Sequence, residues 1–325
     1  MMVKVFGTRG NERSAATTSS KRLAGSETVL PFFIAAMVII AALIQPRFLS
    51  VDNLLNLARQ IVPLLIISVG QAFAIISGGL NLAMAAVMSL AGVLGVQVMG
   101  NHGIAAGILT MLVTGWVTGM VAGAIIAYFR TSPLVVTLGM LSVTQALALI
   151  LSGGVPIYSI DQTYAEAVGF NSLLGIPVMV WIGALVAIVG ALLLRHTIFG
   201  RHVYAIGSNA AAAEKSGVNV RLNTMLVYAV SGLCSGVGAI VMTAWVGSAQ
   251  PIAAPNITLE SLAAVVLGGV ALTGGSGSMR QVFYGVLILG LLSNIMNMVG
   301  VSAYYQTLVI GIVIILAVII DRLRR

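Results

Sequence analysis

Residues 194–223 read LRHTIFGRHVYAIGSNAAAAEKSGVNVRLN, the longest polar interruption in the second half of the chain. Four basic residues lie in this stretch: Arg195, Arg201, Lys215 and Arg221. Apolar runs long enough to cross a bilayer lie on both sides of it. We therefore interpret residues 195–223 as a cytoplasmic loop between two membrane spans, on which something outside the membrane acts.

The composition indicates a membrane protein. Of the 325 residues, 59% are hydrophobic and 7% are charged, whereas a soluble domain carries about 25% charged residues. The apolar runs lack the alternating polarity of membrane β-strands, and the 37 glycines are typical of closely packed membrane helices. The predicted fold class is all-α, a polytopic helical membrane protein embedded in a lipid bilayer.

Charge and cysteine content exclude several other classes. The net charge of +8 comes from basic residues in short loops and tails, where they set orientation in the membrane, so we expect no nucleic-acid partner. The single cysteine, Cys234, allows no intrachain disulfide, and with three scattered histidines it forms no metal set. We expect no cofactor, no metal and no catalytic residue.

Hydropathy predicts about ten spans, at 29–45, 61–77, 81–100, 103–127, 133–151, 176–194, 224–246, 259–273, 282–299 and 303–320. Residues 1–28 are predicted to form a disordered basic tail, and residues 322–325 a second basic tail. Between these tails, residues 29–321 form the transmembrane domain. Residues 46–60 are predicted to be a short amphipathic helix at the far face of the membrane.

The distribution of basic residues supports this topology. With both termini cytoplasmic, Arg47 and Arg59 lie outside, so the inner segments hold 14 of the 16 Lys and Arg residues. One membrane span more or fewer in the first half of the chain would place residues 195–223 on the outer side of the membrane. We therefore expect a multi-pass protein of a bacterial-type inner membrane, with both termini in the cytoplasm.

Two apolar runs are interrupted by glycines. The interruptions are residues 77–81 (SGGLN) and residues 267–277 (LGGVALTGGSG). Discontinuous helices at corresponding places in two halves indicate an internal repeat around a transport site. The sequence thus predicts two broken helices and a repeat.

A short helix is predicted inside the polar loop. Asn209 can cap a helix over Ala210–Ser216, and Gly217 can end it in the left-handed conformation. Seven residues make a rod about 10 Å long, and alanine side chains leave it thin enough to enter a groove on a partner. From the residues alone, a plain cytoplasmic hairpin remains an equal alternative.

Ordered motifs extend over residues 30–321. In the polar loop they are Phe199-Gly200-Arg201, Ala205-Ile206-Gly207, Asn209, Ala211-Ala212 and Ser216-Gly217-Val218-Asn219. Elsewhere they include Asn53-Leu54, Ser77-Gly78-Gly79, Ser231-Gly232-Leu233, Ser248-Ala249-Gln250-Pro251, residues 262–269, Gly300-Val301-Ser302 and Tyr304-Tyr305-Gln306. Together they resemble the permeases of ribose-type ABC transporters. One departure is Asn81-Leu82-Ala83, where that family usually reads Asp-Leu-Ser, which puts the substrate or the role of the chain in doubt.

The resemblance implies a machine of several subunits. The permease pairs with a second permease chain, identical or related, on cytoplasmic ATP-binding cassette subunits. An extracytoplasmic binding protein delivers a monosaccharide or polyol. The residues implied to couple the chain to the ATPase are Gly207, Asn209, Ala211, Ala212, Glu214, Ser216 and Gly217. Binding-protein docking is implied for the outer segments 152–175 and 247–258, through Asp161, Glu166 and Gln250.

A neutral sugar needs hydroxyl-matching side chains along its path. The candidates in the spans are Gln71, Ser77, Asn81, Gln145, Asn294 and Asn297. Hydrogen bonding between helices is the alternative role for each of them. Asn81 is the strongest candidate because it lies at a helix break, and Asn294 and Asn297 share one helix face by their spacing.

The residues also indicate which source of energy drives transport. The spans contain no clearly buried acid or base of the kind that proton- or sodium-coupled carriers use, and the glycine-rich stretch at 274–280 lacks the Gly-Lys-Ser/Thr ending of a P-loop. The predicted function is the permease subunit of an ATP-driven sugar importer that works by alternating access. The alternative is a stand-alone carrier or facilitator for a small neutral solute.

Overall fold

The computed structural model describes residues 29–323, and both the predicted tail at 1–28 and the last two residues of the second tail lie outside them. The helices are α1 Val29–Ile44, α2 Val51–Ile76, α3 Met84–His102, α4 Ile104–Phe129, α5 Pro133–Ser152, α6 Gln162–Tyr164, α7 Val178–His196, α8 Ile198–Lys215, α9 Val220–Val246, α10 Ile257–Leu267, α11 Met279–Met298 and α12 Ala303–Leu323. Ala165–Phe170 continues α6 as a π-helical turn, and β1 Ser172–Leu173 pairs antiparallel with β2 Ile176–Pro177.

The helices confirm the predicted all-α membrane class. Within the described residues, seven helices are long and apolar enough to cross a membrane: α2, α3, α4, α5, α7, α9 and α11. Three shorter apolar helices, α1, α10 and the first part of α12, stand where the remaining spans were predicted. The number of crossings stays a prediction, because α10 has 11 residues and is about 16 Å long.

The first correction concerns residues 46–60, which do not form a separate amphipathic helix. Pro46–Leu49 form a single 3-10 turn, and α2 starts at Val51, ten residues before the predicted span. Ser50 starts the helix, since its side chain accepts the N–H of Asn53 at 3.3 Å. The polar residues of this stretch therefore lie on the first turns of a helix whose later turns are buried.

The bundle is organised around α2 and α9. The apolar window of α2 is 83% buried, whereas those of α4, α5 and α7 are 22%, 17% and 22% buried. Glycines let α4 approach α9 closely: a Cβ on Gly115 or Gly119 would overlap backbone atoms of α9 near Gly232. The largely exposed faces of α4, α5 and α7 are apolar, which suits contact with lipid.

Two interrupted pairs of helices cross the centre of the bundle. Residues 77–83 separate α2 from α3, and residues 247–256 separate α9 from α10. The backbone N–H of Ala85, in the first turn of α3, donates to Thr258 Oγ1 in the first turn of α10 at 3.0 Å. Reciprocally, the N–H of Ala253 donates to Ser89 Oγ of α3 at 3.0 Å. Thr258 of α10 therefore caps the start of α3, and Ser89 of α3 holds the segment that precedes α10.

This geometry corrects the predicted correspondence between the two glycine-rich breaks. Residues 268–278 do leave the helical conformation, but they follow α10 and lie against residues 76–78. The counterpart of residues 77–83 is therefore the segment 247–256 that precedes α10. The sequence carries a signal for this pairing, since SLAGV at 89–93 in α3 resembles SLAAV at 261–265 in α10.

The polar loop is more helical than predicted. α8 begins immediately after α7, with the hydroxyl of Thr197 accepting the N–H of Gly200 at 3.1 Å. Val203 and Ile206 are buried, so the first half of α8 packs onto the bundle. Residues 198–208 were predicted as loop, and they are helical because this apolar face is covered. We call the end of the bundle that carries α8 the α8 end.

Candidate functional site

Four glycines join α8 to both glycine-rich breaks. Gly78, Gly207, Gly274 and Gly275 form what we call the glycine junction. The N–H of Gly275 donates to the carbonyl oxygen of Ile76, the last residue of α2, at 2.8 Å. A Cβ on Gly207 would overlap that same oxygen, and one on Gly274 would lie 2.8 Å from the Gly78 Cα. Backbone therefore packs directly on backbone where α2, α8 and the segment after α10 meet.

A tyrosine adds a second attachment between α8 and the segment after α10. The hydroxyl of Tyr204 donates to the carbonyl oxygen of Gly277 at 2.7 Å. Burial raises the pKa of Tyr204, so this hydroxyl keeps the proton that it donates. The first half of α8 is thus held to the bundle by this hydrogen bond, by a second one between His202 Nδ1 and Asn223 Oδ1 of α9 at 3.2 Å, and by the glycine junction.

The second half of α8 is a separate short helix. Asn209 has φ −164° and ψ 99°, which interrupts α8, and its Oδ1 accepts the N–H of Ala212 at 3.0 Å. Gly217 has φ +86°, and the N–H of Val218 returns to the carbonyl oxygen of Ala213 at 3.0 Å. The predicted N-cap and the predicted glycine terminus both have the expected geometry.

The short helix projects from the bundle. Six of the seven predicted coupling residues are exposed: Asn209, Ala211, Ala212, Glu214, Ser216 and Gly217. The seventh, Gly207, is half-buried in the glycine junction. Glu214 lies 3.9 Å from Arg130, and because both side chains are largely exposed this ion pair contributes little stability. The tip is therefore free to contact a partner while its base is fixed to the bundle.

Asn81 is buried and fully bonded within the protein. Its Nδ2 donates to Ser231 Oγ of α9 at 2.8 Å, and its Oδ1 accepts the N–H of Ala83 at 3.1 Å. The neighbouring carbonyl oxygen of Leu80 accepts the Tyr228 hydroxyl at 3.4 Å. In this conformation the amide therefore fixes the interrupted segment to α9 and orders the backbone immediately before α3.

Four further pathway candidates are also bonded within the protein, and they lie in different places. Asn294 forms a reciprocal amide pair with Asn53 at 3.1 and 3.2 Å. Asn297, on the same helix, is exposed and accepts from Gln306 at 2.7 Å. Gln145 donates to the carbonyl oxygen of Pro251 at 2.5 Å, and Ser77 donates to that of Ala74 at 2.8 Å. The structure does not bring these side chains together.

Gln71 differs from the other candidates. It is fully buried in α2, and neither of its amide atoms has a hydrogen-bond partner among the described residues. Ser68, one turn away on the same helix, shares this property, although sequence reasoning did not select it. The available signal was the separation of three residues between Ser68 and Gln71, which places both side chains on one face of the helix.

A cavity of about 280 Å³ lies between α2, α9, α10, α11 and α12, in the half of the bundle away from α8. Its polar lining comprises Gln60, Asn256, Glu260 and Ser293. None of these four residues was selected from the sequence. The available signal was a carboxylate in an otherwise apolar helix.

The predicted docking residues have unequal exposure. Asp161 is exposed and caps α6, accepting the N–H groups of Thr163 and Tyr164 at 2.8 and 3.3 Å. Glu166 is exposed as well, whereas Gln250 is half-buried beside a small cavity. The two segments that carry them are joined, since Ile157 and Ala249 exchange backbone hydrogen bonds at 2.9 Å.

Comparison with known proteins gives consistent matches along most of the chain. Residues 53–318 match the family model described as branched-chain amino acid transport system / permease component. Ribose import permease protein RbsC of Haemophilus influenzae is 35% identical, over 89% of this chain and 91% of the relative. RbsC of Bacillus subtilis is 38% identical, over 88% and 89%. L-arabinose transport system permease protein AraH of Escherichia coli is 32% identical, over 90% and 89%. No solved structure matches the chain.

Proposed function

Since this chain belongs to the branched-chain amino acid transport system / permease component family, we propose that it is the transmembrane permease subunit of an ATP-driven importer of a monosaccharide or related polyol. The relatives support a sugar rather than an amino acid. Ribose and L-arabinose permeases, and the D-allose permease AlsC of Escherichia coli at 30% identity, each align with about nine-tenths of this chain.

The observation that carries the mechanism is the position of Gly207. This glycine lies at the base of the exposed short helix, in direct contact with the end of α2 and with the segment after α10. A partner that grips the short helix and moves it also moves both contacts, because backbone packed on backbone leaves no room for slippage. Movement at the α8 end would thereby reach the interrupted segments in the centre of the bundle.

The proposed partners follow from this arrangement. An ATP-binding cassette subunit contacts the exposed helix at 209–217 from the cytoplasm, and ATP hydrolysis belongs to that subunit. A second permease chain, identical or related, completes the transmembrane unit. A sugar-binding protein docks on the opposite face through the joined segments 152–175 and 247–258, where Asp161 and Glu166 are exposed. The chain lies in the inner membrane of the cell, and both of its termini lie in the cytoplasm.

Asn81 receives a positioning role in this mechanism. Its two hydrogen bonds hold residues 77–83 against α9 in the described conformation. Alternating access requires the interrupted segments to change position, and a neutral amide can exchange such bonds without leaving a buried charge. The replacement of the family's usual acid by Asn81 is compatible with this role.

Transport by a reconstituted complex tests the proposal. The permease is placed in proteoliposomes with its cognate ATP-binding and binding proteins, and uptake of radiolabelled ribose, allose and arabinose is measured. We expect uptake of one of these sugars that requires ATP hydrolysis and the binding protein. Uptake by the permease alone, down a gradient and without ATP, would instead identify a stand-alone carrier or facilitator.

A further inference from the structure

One face of α2 carries three polar side chains between Gln60 and Gln71. Gln60, Leu64, Ser68 and Gln71 are spaced by four, four and three residues, so they form one stripe on the helix surface. The stripe is about 16 Å long, at about 1.5 Å of rise per residue. Gln60 and Leu64 line the 280 Å³ cavity in the half of the bundle away from α8. Ser68 and Gln71 continue the same face towards the α8 end.

The inner half of this stripe is buried without hydrogen bonds. Ser68 and Gln71 have no exposed surface, and the Ser68 hydroxyl and both amide atoms of Gln71 lack partners among the described residues. Buried polar atoms in proteins are almost always hydrogen-bonded, because an unmet donor or acceptor is costly away from water. Three such atoms on adjacent turns therefore provide hydrogen-bonding capacity that a polar solute can use.

The neighbours of α2 show what the stripe faces. Gly70 lies against Cys234 of α9, and Val69 lies against Gly190 of α7, which accounts for the two adjoining sides of the helix. α2 also packs against α10 and α11. Both of these helices also line the cavity, through Glu260 of α10 and Ser293 of α11. The stripe therefore continues the α2 wall of the cavity into the seam beside α10 and α11.

We propose that Ser68 and Gln71 form a solute-binding site inside a single protomer. This site becomes connected to the cavity at Gln60 and Glu260 when α10 moves away from α2. This inference rests on the proposed import of a sugar. α10 is suited to the movement because it is short and because the segment that follows it joins the glycine junction. A pull on α8 would reach α10 through that segment.

The chemistry of the stripe specifies the class of solute. A carboxamide offers two donors and one acceptor oxygen, and a hydroxyl offers one donor and two lone pairs, which together match the adjacent hydroxyl groups of a polyol. The inner stripe has no charged side chain to pair with an ammonium or carboxylate group. A zwitterionic amino acid would bury both charges without partners there. The site therefore takes a neutral polyhydroxy solute.

Cysteine accessibility tests the site in the complete complex. In a Cys234→Ala background, Ser68→Cys replaces a hydroxyl by a thiol of similar shape. Val69→Cys is the matched control, because Val69 is equally buried on the next position of α2 but faces Gly190 of α7. Proteoliposomes that contain the ATP-binding and binding proteins are treated with a small methanethiosulfonate reagent during ATP hydrolysis, with and without ribose, allose, arabinose or leucine.

We expect the Ser68→Cys thiol to react roughly tenfold faster than the Val69→Cys thiol during turnover, since reagents reach exposed thiols and not buried ones. The transported sugar should slow this reaction, and leucine should not. Equal, slow reaction of both thiols in vesicles that still import sugar with ATP would overturn the site while leaving the proposed function intact. Reaction at Ser68→Cys that no sugar slows would overturn the assigned solute. Failure of the function itself would show separately, as sugar uptake that needs no ATP.

Discussion

The backbone N–H of Gly275 donates to the carbonyl oxygen of Ile76 at 2.8 Å, which joins the segment after α10 to the end of α2. Gly207 of α8 lies against the same carbonyl oxygen. A terminal helix carbonyl that would otherwise lack a partner is thus satisfied by the other half of the chain. Three parts of the sequence, near residues 76, 207 and 275, meet at this one oxygen.

The first prediction concerns Gly207→Ala. The added methyl group overlaps the Ile76 carbonyl oxygen, so α8 must shift away from α2. We expect the protein to insert but to lose most ATP-driven uptake and about 1–3 kcal/mol of stability, as in other overpacked sites. Gly139→Ala in α5 is the control, because a Cβ there meets no atom within 4 Å. Equal uptake by the two variants would show that the junction does not transmit movement.

The second prediction concerns Ala212→Arg at the exposed tip. Ala212 lies on the surface of the short helix, so a long side chain is tolerated by the fold but obstructs entry into a partner's groove. We expect normal membrane insertion and thermal unfolding together with loss of uptake and of sugar-stimulated ATP hydrolysis. Ala212→Ser serves as the small polar control. Normal uptake by the arginine variant would argue against contact at this position.

The third prediction compares two changes at Asn81. Asn81→Leu removes both hydrogen bonds. The Ala83 N–H loses its acceptor, which costs about 1–3 kcal/mol for a buried group, whereas the Ser231 hydroxyl loses a donor but still donates to Met84 Sδ at 3.5 Å. We expect a lower unfolding temperature and lower uptake. Asn81→Asp restores the acid that the family usually carries, and its carboxylate accepts from both groups. An aspartate variant as impaired as the leucine variant would contradict the positioning role.

The fourth prediction concerns the cap that Thr258 of α10 provides for the start of α3. Thr258→Val keeps the shape of the side chain but removes the oxygen that accepts the Ala85 N–H at 3.0 Å. We expect destabilisation of about 1–3 kcal/mol, measured by thermal unfolding of the purified permease. Thr258→Ser retains the hydroxyl and should unfold close to the original temperature. If both variants unfold alike, the hydroxyl does not cap α3.

The sequence predicted the features that depend on local chemistry. Apolar length located the helices, and Asn209 and Gly217 marked the ends of the short helix, because caps use side chains and backbone angles of the same few residues. The start of α2 was missed since the amphipathic character of 46–60 fits both an interfacial helix and the first turns of a half-buried one. Helix boundaries of this kind are decided by what covers them.

The candidate site was harder to predict, because polar side chains are satisfied by distant parts of the chain. Asn294 and Asn53 are 241 residues apart, and the sequence around either residue does not predict that they pair. The same holds for Gln145 and the carbonyl oxygen of Pro251, 106 residues away. Composition identified polar residues in apolar helices, while the distinction between Asn294, which is bonded, and Gln71, which is not, required the packed structure.

Cross-linking at the tip of the short helix tests the central claim most directly. Cysteine is introduced by Ala212→Cys in a Cys234→Ala background, a thiol-reactive cross-linker is applied to intact membranes, and the captured protein is identified by mass spectrometry. We predict capture of one ATP-binding cassette protein with a P-loop, and a change in cross-linking yield when nucleotide is added. A thiol that reacts with a cytoplasmic reagent but captures no such protein would contradict ATP-driven coupling through this helix.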